Sequence, residues 1–276
     1  MRLRGTEPGT SDEQVWRRFL DEVAWLYRQM DQMLRQRVAP VLSLFEIKTI
    51  VLCAHNRAAH RASEIEDLLA RSLLCAPLAE ALRRGPDVPA TVTAITAVLA
   101  AVAPPAAEAG KAYAAHGLRG FEDGLMRGYL THAATLPLQP AVARFVAAFI
   151  DLRNVMILYK QLHWSAPDAA AFIPGGSLAP AVFAEALTGR QETAVADVAR
   201  RATGLKVLPA AASEGALETV LLSCLARELR AAARNGELVP TALDYLWRQY
   251  VAARNVAVLL HGAGLEAAVL ERELIQ

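Results

Sequence analysis

The chain has 276 residues, 54% of them hydrophobic, and its 29 basic and 28 acidic side chains leave a formal net charge of +1. That is enough to bury a sizeable core in one to three domains. The balanced charge, with aromatics at only 6%, argues against the basic, aromatic-lined groove of a nucleic-acid binder, and no nucleic-acid partner is expected.

Met1 to Ser11 is polar and lacks the apolar core of a secretory signal, so it reads as a frayed tail. Beyond it, apolar residues recur at helical spacing, and no stretch keeps the period of two that a strand requires. The pattern predicts an all-α fold with helices at 12–37, 41–57, 63–84 (broken near Pro77), 90–103, 105–117, 119–135, 139–164, 178–188, 190–203, 213–235 and 239–263, then a short final one. Gly85-Pro86-Asp87, Pro104-Pro105, Gly189, Gly204 and Asn235-Gly236 are the breakers. The longest uncharged run, between Asp87 and Glu108, is cut by Pro89, Pro104 and Pro105. Its pieces are shorter than the ~20 apolar residues of a membrane span. It reads as a buried helix, and no transmembrane segment is expected. Cys53, Cys75 and Cys224 are odd in number and widely spaced, which fits reduced thiols better than a disulfide framework.

One segment occurs three times: Phe45 to Leu52, Ile150 to Ile157 and Val251 to Val258. Thr49, Asn154 and Asn255 hold the same place in each, 105 and 101 residues apart. A basic residue precedes each (Lys48, Arg153, Arg254), a β-branched residue follows, and His55, Lys160 and His261 lie six positions on. Residues seven apart share a helix face. Each copy therefore carries a basic or titratable pair on one stripe. Upstream, Glu13, Glu122 and Glu218 are each followed by apolar residues three and seven later, so the unit reads as a helical hairpin. Pro140 and Pro240 mark the start of the second helix in the last two copies. The period predicts three modules, at 12–86, 87–178 and 179–276.

Motifs for catalysis are missing. None of the six histidines belongs to a Glu-x-x-His or His-Glu-x-x-His pattern, as a metal site in a helical bundle would require. Neither Asp-Asp-x-x-Asp nor Gly-x-Ser-x-Gly occurs. Phe172-Ile173-Pro174-Gly175-Gly176-Ser177-Leu178 is glycine-rich, but lacks the lysine of a phosphate-binding loop and the third glycine of a dinucleotide fingerprint. It reads as a turn, with Ser177 as the cap of the next helix. No catalytic residue, cofactor or metal is therefore assigned. An asparagine inside a packed helix, such as Asn154 or Asn255, needs partners for its amide and so fixes one register between neighbouring elements. The basic stripe has two readings: a partner-contact face, or a solvated and internally paired one.

Asp151-Leu-Arg-Asn-Val155, Ala253-Arg-Asn-Val256, the Phe172–Leu178 loop and Leu217-Glu218 together, in this order and spacing, resemble the C-type subunit of archaeal and bacterial A/V-type rotary ATPases, whose family includes the vacuolar d subunit. The resemblance runs from about residue 40 to 265. It implies three similar helical domains forming a funnel with approximate three-fold symmetry, and a rotor adapter that catalyses nothing. The implied partners are the central-stalk subunits and the membrane proteolipid ring. The implied place is cytoplasmic, peripheral to the inner face of the plasma membrane. Lys48, Thr49, Asp151, Arg153, Asn154, Arg254 and Asn255 are then the structural signature, and His55, Lys160 and His261 the partner contacts. Two departures stand out: alanine at 252 and 253, where the family carries an acid, and Thr49 in place of asparagine. The competing reading is a soluble helical-repeat scaffold or ligand-binding protein unrelated to a rotary motor.

Overall fold

The computed structural model describes residues 11–164, 168, 171–189, 192–206, 213–262, 270 and 273–275. Among these residues every regular element is a helix. The described helices begin with α1 (Asp12–Gln29), α2 (Gln32–Ala58), α3 (Ala62–Arg71) and α4 (Ala76–Arg84). Then come α5 (Val88–Val102), α6 (Pro104–Ala107), α7 (Ala109–Ala133) and α8 (Pro140–His163). Finally there are α9 (Pro180–Gly189), α10 (Glu192–Thr203), α11 (Glu214–Ala233) and α12 (Leu238–His261). Most of the expected tail, residues 1–10, and most of the expected short final helix lie outside the described residues. Ser11 itself caps α1: it accepts from Gln14 N–H, and Gln14 reaches back to the Ser11 N–H. This reciprocal pair satisfies two of the amides that a helix start leaves open.

The first break falls elsewhere than the proline predicts. Pro40 lies inside α2, and the chain turns at Met30 and Asp31 instead. Asp31 accepts from Leu34 N–H at 2.7 Å, and Arg35 donates to the carbonyls of Tyr27 and Arg28. One side chain thus opens α2 and another closes α1, which secures the turn without glycine or proline. The region expected as two helices about residue 118 does bend there, at Gly117 with φ +64°. A left-handed residue in a helical run favours glycine.

After Gly117 the chain folds back over α6 and the start of α7, and Gly120, Gly124 and Gly128 form the contact ridge. A Cβ on Gly128 would lie 2.3 Å from the Pro105 carbonyl oxygen, and one on Gly124 2.9 Å from Ala109 Cα. Backbone cannot yield as a flexible side chain does, so Gly128→Ala should cost about 1–3 kcal/mol through overpacking. A thermal melt of the variant checks this; an unchanged midpoint would mean that the turn shifts freely. The uncharged run forms α5, which buries only one face (Thr91, Val92, Ile95, Leu99) and leaves Val102 exposed. By length and composition α2 alone among the described helices could cross a membrane. However, 67% of its apolar window is buried in the protein, as expected of a core helix.

The three repeat helices α2, α8 and α12 pack against one another pairwise. Around them the outer helices follow a cyclic rule: α7 packs on α2, α11 on α8, and α1 on α12. Each signature helix thus leans on the outer helix that precedes the signature helix of the next copy of the repeat, taken cyclically. The expected hairpin contact is extensive only between α11 and α12; α1 barely touches α2, and α7 barely touches α8. Aromatic rings line the central seam. Phe45 of α2 stacks on Tyr250 of α12 at 5.4 Å, Tyr250 meets Trp247 at 5.1 Å, and Trp247 meets Phe145 and Phe149 of α8 at 5.7 and 6.1 Å. Phe19 of α1 joins this chain through Phe45 and Tyr250. Such large rigid rings contribute burial and fix the relative tilt of three helices together.

Candidate functional site

The three aligned positions build related polar clasps, each holding a backbone segment that lies later in the chain in the last two copies. Asn154 is fully buried. Its Nδ2 donates to the Ile173 carbonyl and its Oδ1 accepts the Ile173 N–H, both at 2.8 Å. Asn255 grips Ile275 in the same way, at 2.8 and 3.0 Å. An amide offers one donor and one acceptor side by side, which matches the two backbone groups of one residue. In the first copy Thr49 has no such fork. Its hydroxyl accepts from Trp16 Nε1 at 3.2 Å, tying α2 to α1.

A carboxylate three residues before the Thr/Asn supplies a second clasp. Asp151 Oδ2 accepts from the Ser177 N–H at 2.9 Å and from its hydroxyl, and Oδ1 accepts from the Leu178 N–H at 3.2 Å. Burial pushes the Asp151 pKa up, and the three donors from Ser177 and Leu178 pull it back. Glu46 is the counterpart in the first copy, with Oε1 accepting from the Leu73 N–H at 2.6 Å. Leu73 and Leu178 each lie 27 residues after their carboxylate. Glu46 is only 4% exposed, and its Oε2 is buried without a hydrogen-bond partner among the described residues. Burial pushes its pKa up to about 7, against the Leu73 N–H and the Thr49 hydroxyl, which lower it. The signature set omitted Glu46, although its place three residues before Thr49, as Asp151 stands before Asn154, was the signal. In the third copy Ala252 occupies that place, so the second clasp is missing there.

The glycine-rich loop is explained by the same clasp. A Cβ on Gly176 would lie 2.1 Å from Asp151 Oδ1, and Gly175 adopts φ +96° against Ala134. Ser177 does not cap the next helix, which begins at Pro180; its hydroxyl and amide are taken by Asp151. A phosphate would compete with a buried carboxylate for the same donors.

The basic stripe is largely engaged within the molecule. Arg254 pairs with Glu218 at 2.8 Å and donates to the Glu273 carbonyl at 2.9 Å. Lys160 pairs with Glu214 at 2.8 Å, and His261 with Asp12 at 2.6 Å. Lys48 keeps part of its surface in water while its ammonium lies 4.7 Å from the centre of the Trp16 ring. Crowding lowers its pKa, and the charges of Asp12 and Glu122 oppose this. Arg153 is half-buried, with an Nε that meets no acceptor among the described residues, and His55 is exposed. Of the upstream glutamates, Glu218 serves Arg254, Glu13 accepts from Arg17 and Asn56, and Glu122 is exposed inside α7 rather than at a helix start. The cysteines are free; Cys53 and Cys224 are buried and Cys75 is exposed. Among the described residues no group of three or more His, Cys, Asp or Glu side chains could hold a metal ion.

A search of curated proteins finds none that matches the chain. A family model described as "ATP synthase (C/AC39) subunit" matches residues 3–268. The match therefore takes in the N-terminal part that lies outside the motif resemblance. Covering nearly the whole length, it places the chain in the ATP synthase C/AC39 subunit family of A/V-type rotary ATPases, to which the protein belongs.

Proposed function

We propose that this rotary-ATPase subunit is a non-catalytic rotor adapter, coupling the central stalk to the membrane proteolipid ring during ATP-driven proton or sodium transport, or ATP synthesis. The reading rests above all on the cyclic packing: three signature helices meet on one aromatic seam, and α1 closes on α12. Cyclic packing of this kind supports an arrangement about an axis, which a part that turns between a ring and a shaft needs. The modules 12–86, 87–178 and 179–276 would then relate by near three-fold rotation and enclose a funnel. The protein would sit on the cytoplasmic side of the plasma membrane, peripheral to it through the ring.

Charge contacts to the shaft fall to His55, Lys160 and His261, with Arg153 behind them. Lys160 and Glu214 are each about 40% exposed on their side chains, and an exposed pair contributes little. A shaft carboxylate can therefore displace Glu214. Purified with the ring and shaft subunits, the chain should fractionate with the ring. Its association with the shaft should slow between ~0.05 and ~0.5 M salt, as the screening length falls from about 14 Å to about 4 Å. Arg153→Gln with Lys160→Gln should remove most of that dependence, since such charges set encounter rate more than affinity. Failure to fractionate with the ring would favour the free helical scaffold, and salt-insensitive association would return the stripe to an internal role.

A further inference from the structure

We propose that the groove between α11 and α12 is a peptide-binding site, filled in cis by Glu273–Ile275 and able to take in exchange a partner segment with an acidic side chain two residues before an aliphatic one. The site reads backbone and side chains separately. Asn255 pairs with both backbone groups of Ile275. Arg254 Nη1 and the Thr219 hydroxyl both donate to the Glu273 carbonyl, at 2.9 and 3.0 Å.

Side-chain recognition is equally local. The Ile275 side chain is 5% exposed, within the core. The Glu273 carboxylate accepts from the Ser213 hydroxyl at 3.1 Å. It lies against Gly215, where a Cβ would come within 2.0 Å of it. Both residues belong to the start of α11, a 20-residue helix, and a carboxylate is favoured at that end. Every group in this description belongs to the groove or to three consecutive residues, so a short peptide in trans can reproduce it.

The second copy shows what a permanent version looks like. There Asn154 and Ile173 are 0% and 1% exposed, and Asp151 accepts from three donors a few residues on, two from Ser177 and one from Leu178. In the third copy Asn255 and all of Val251–Leu260 are only half-buried, and Ala252 provides no second clasp. Water can replace the lost bonds when Ile275 leaves, which keeps the opening cost low. The chemistry of the partner is set by the cis occupant, and none of this depends on the rotor assignment.

Two measurements test it. In the parent protein the Ile275 amide should exchange its hydrogen about 100-fold faster than the Ile173 amide, because the two clasps open with different ease; equal rates would overturn the proposal. Ile275→Asp should unseat the cis segment. A fluorescein-labelled peptide copying residues 271–276 should then bind this variant at least ~10-fold more tightly than the parent, an occupied site being reduced by its own competitor. Adding Asn255→Ala should abolish the binding. A helical Ile275→Asp protein that ignores the peptide, equal binding to parent and variant, or concentration-dependent dimers of the parent in place of peptide capture would each refute it. Should Ile275→Asp fail to fold, the exchange rates alone decide.

Discussion

Replacing Asn154 with alanine is expected to lower stability by about 3 kcal/mol, while the same change at Asn255 should cost only about 1 kcal/mol. The two side chains make the same pair of hydrogen bonds, to Ile173 and Ile275 respectively, so the difference must come from the surroundings. At Ile173 the N–H and C=O would be stranded in a fully buried site, and each orphaned group costs on the order of 1–3 kcal/mol. At Asn255 the half-exposed helix lets water take over part of the bonding. Urea unfolding of both variants decides the matter. Equal losses would show that bond geometry, not burial, sets the value of the clasp.

Stability should also fall between pH 5 and pH 8, with Glu46 as the main cause. Its carboxyl group ionises near the usual 4.5 in the unfolded chain and at about 7 in the fold, where it is buried. Below 4.5 both states carry the proton and the full stability is present. Between 4.5 and 7 only the unfolded chain has released it, so stability drops as pH rises and levels off above the folded value. A displacement of that size corresponds to about 3 kcal/mol. Burial shifts Asp151 in the same direction. Glu46→Gln imitates the protonated side chain and keeps an acceptor for the Leu73 N–H. It should flatten most of the pH dependence and leave the protein more stable than the parent at pH 8. A parent whose unfolding free energy is level across this range would rule the mechanism out.

The helical class and the three signature positions were legible because they depend on periodicity, which a sequence displays directly. Breaks at Gly117 and Pro140 were legible for a similar reason, since glycine and proline act on their own backbone. The turn at Met30 was not: it relies on Asp31 and Arg35, ordinary residues of a helical run whose role emerges only when their side chains find the neighbouring backbone. The clasps divide in the same way. Asparagine in an apolar helix announces a need for partners, but nothing local names Ile173 or Ile275. Apart from its place three residues before Thr49, nothing in the repeat marks Glu46 out from its neighbours until the fold buries it against the Leu73 N–H. The pairing rule of the outer helices was likewise hidden, because adjacency in sequence suggests a hairpin while α1 and α7 pack mainly on the signature helix of the preceding copy, and α11 packs on both.

The closing of α1 on α12 sets a timetable for making the protein. Tyr245 donates to Glu22, 223 residues earlier in the chain, and Phe19 waits for Tyr250 over a similar interval. At ~5–20 residues per second, α1 leaves the ribosome about 10–45 s before the helix that covers it has been synthesised. Throughout that interval the part of α1 that α12 covers, including Trp25, which packs near Tyr245, is free to meet other chains or a chaperone, although Trp16 and Phe19 already have Thr49 and Phe45 of α2 as partners. The packing of α1 is thus among the last in the fold to be completed.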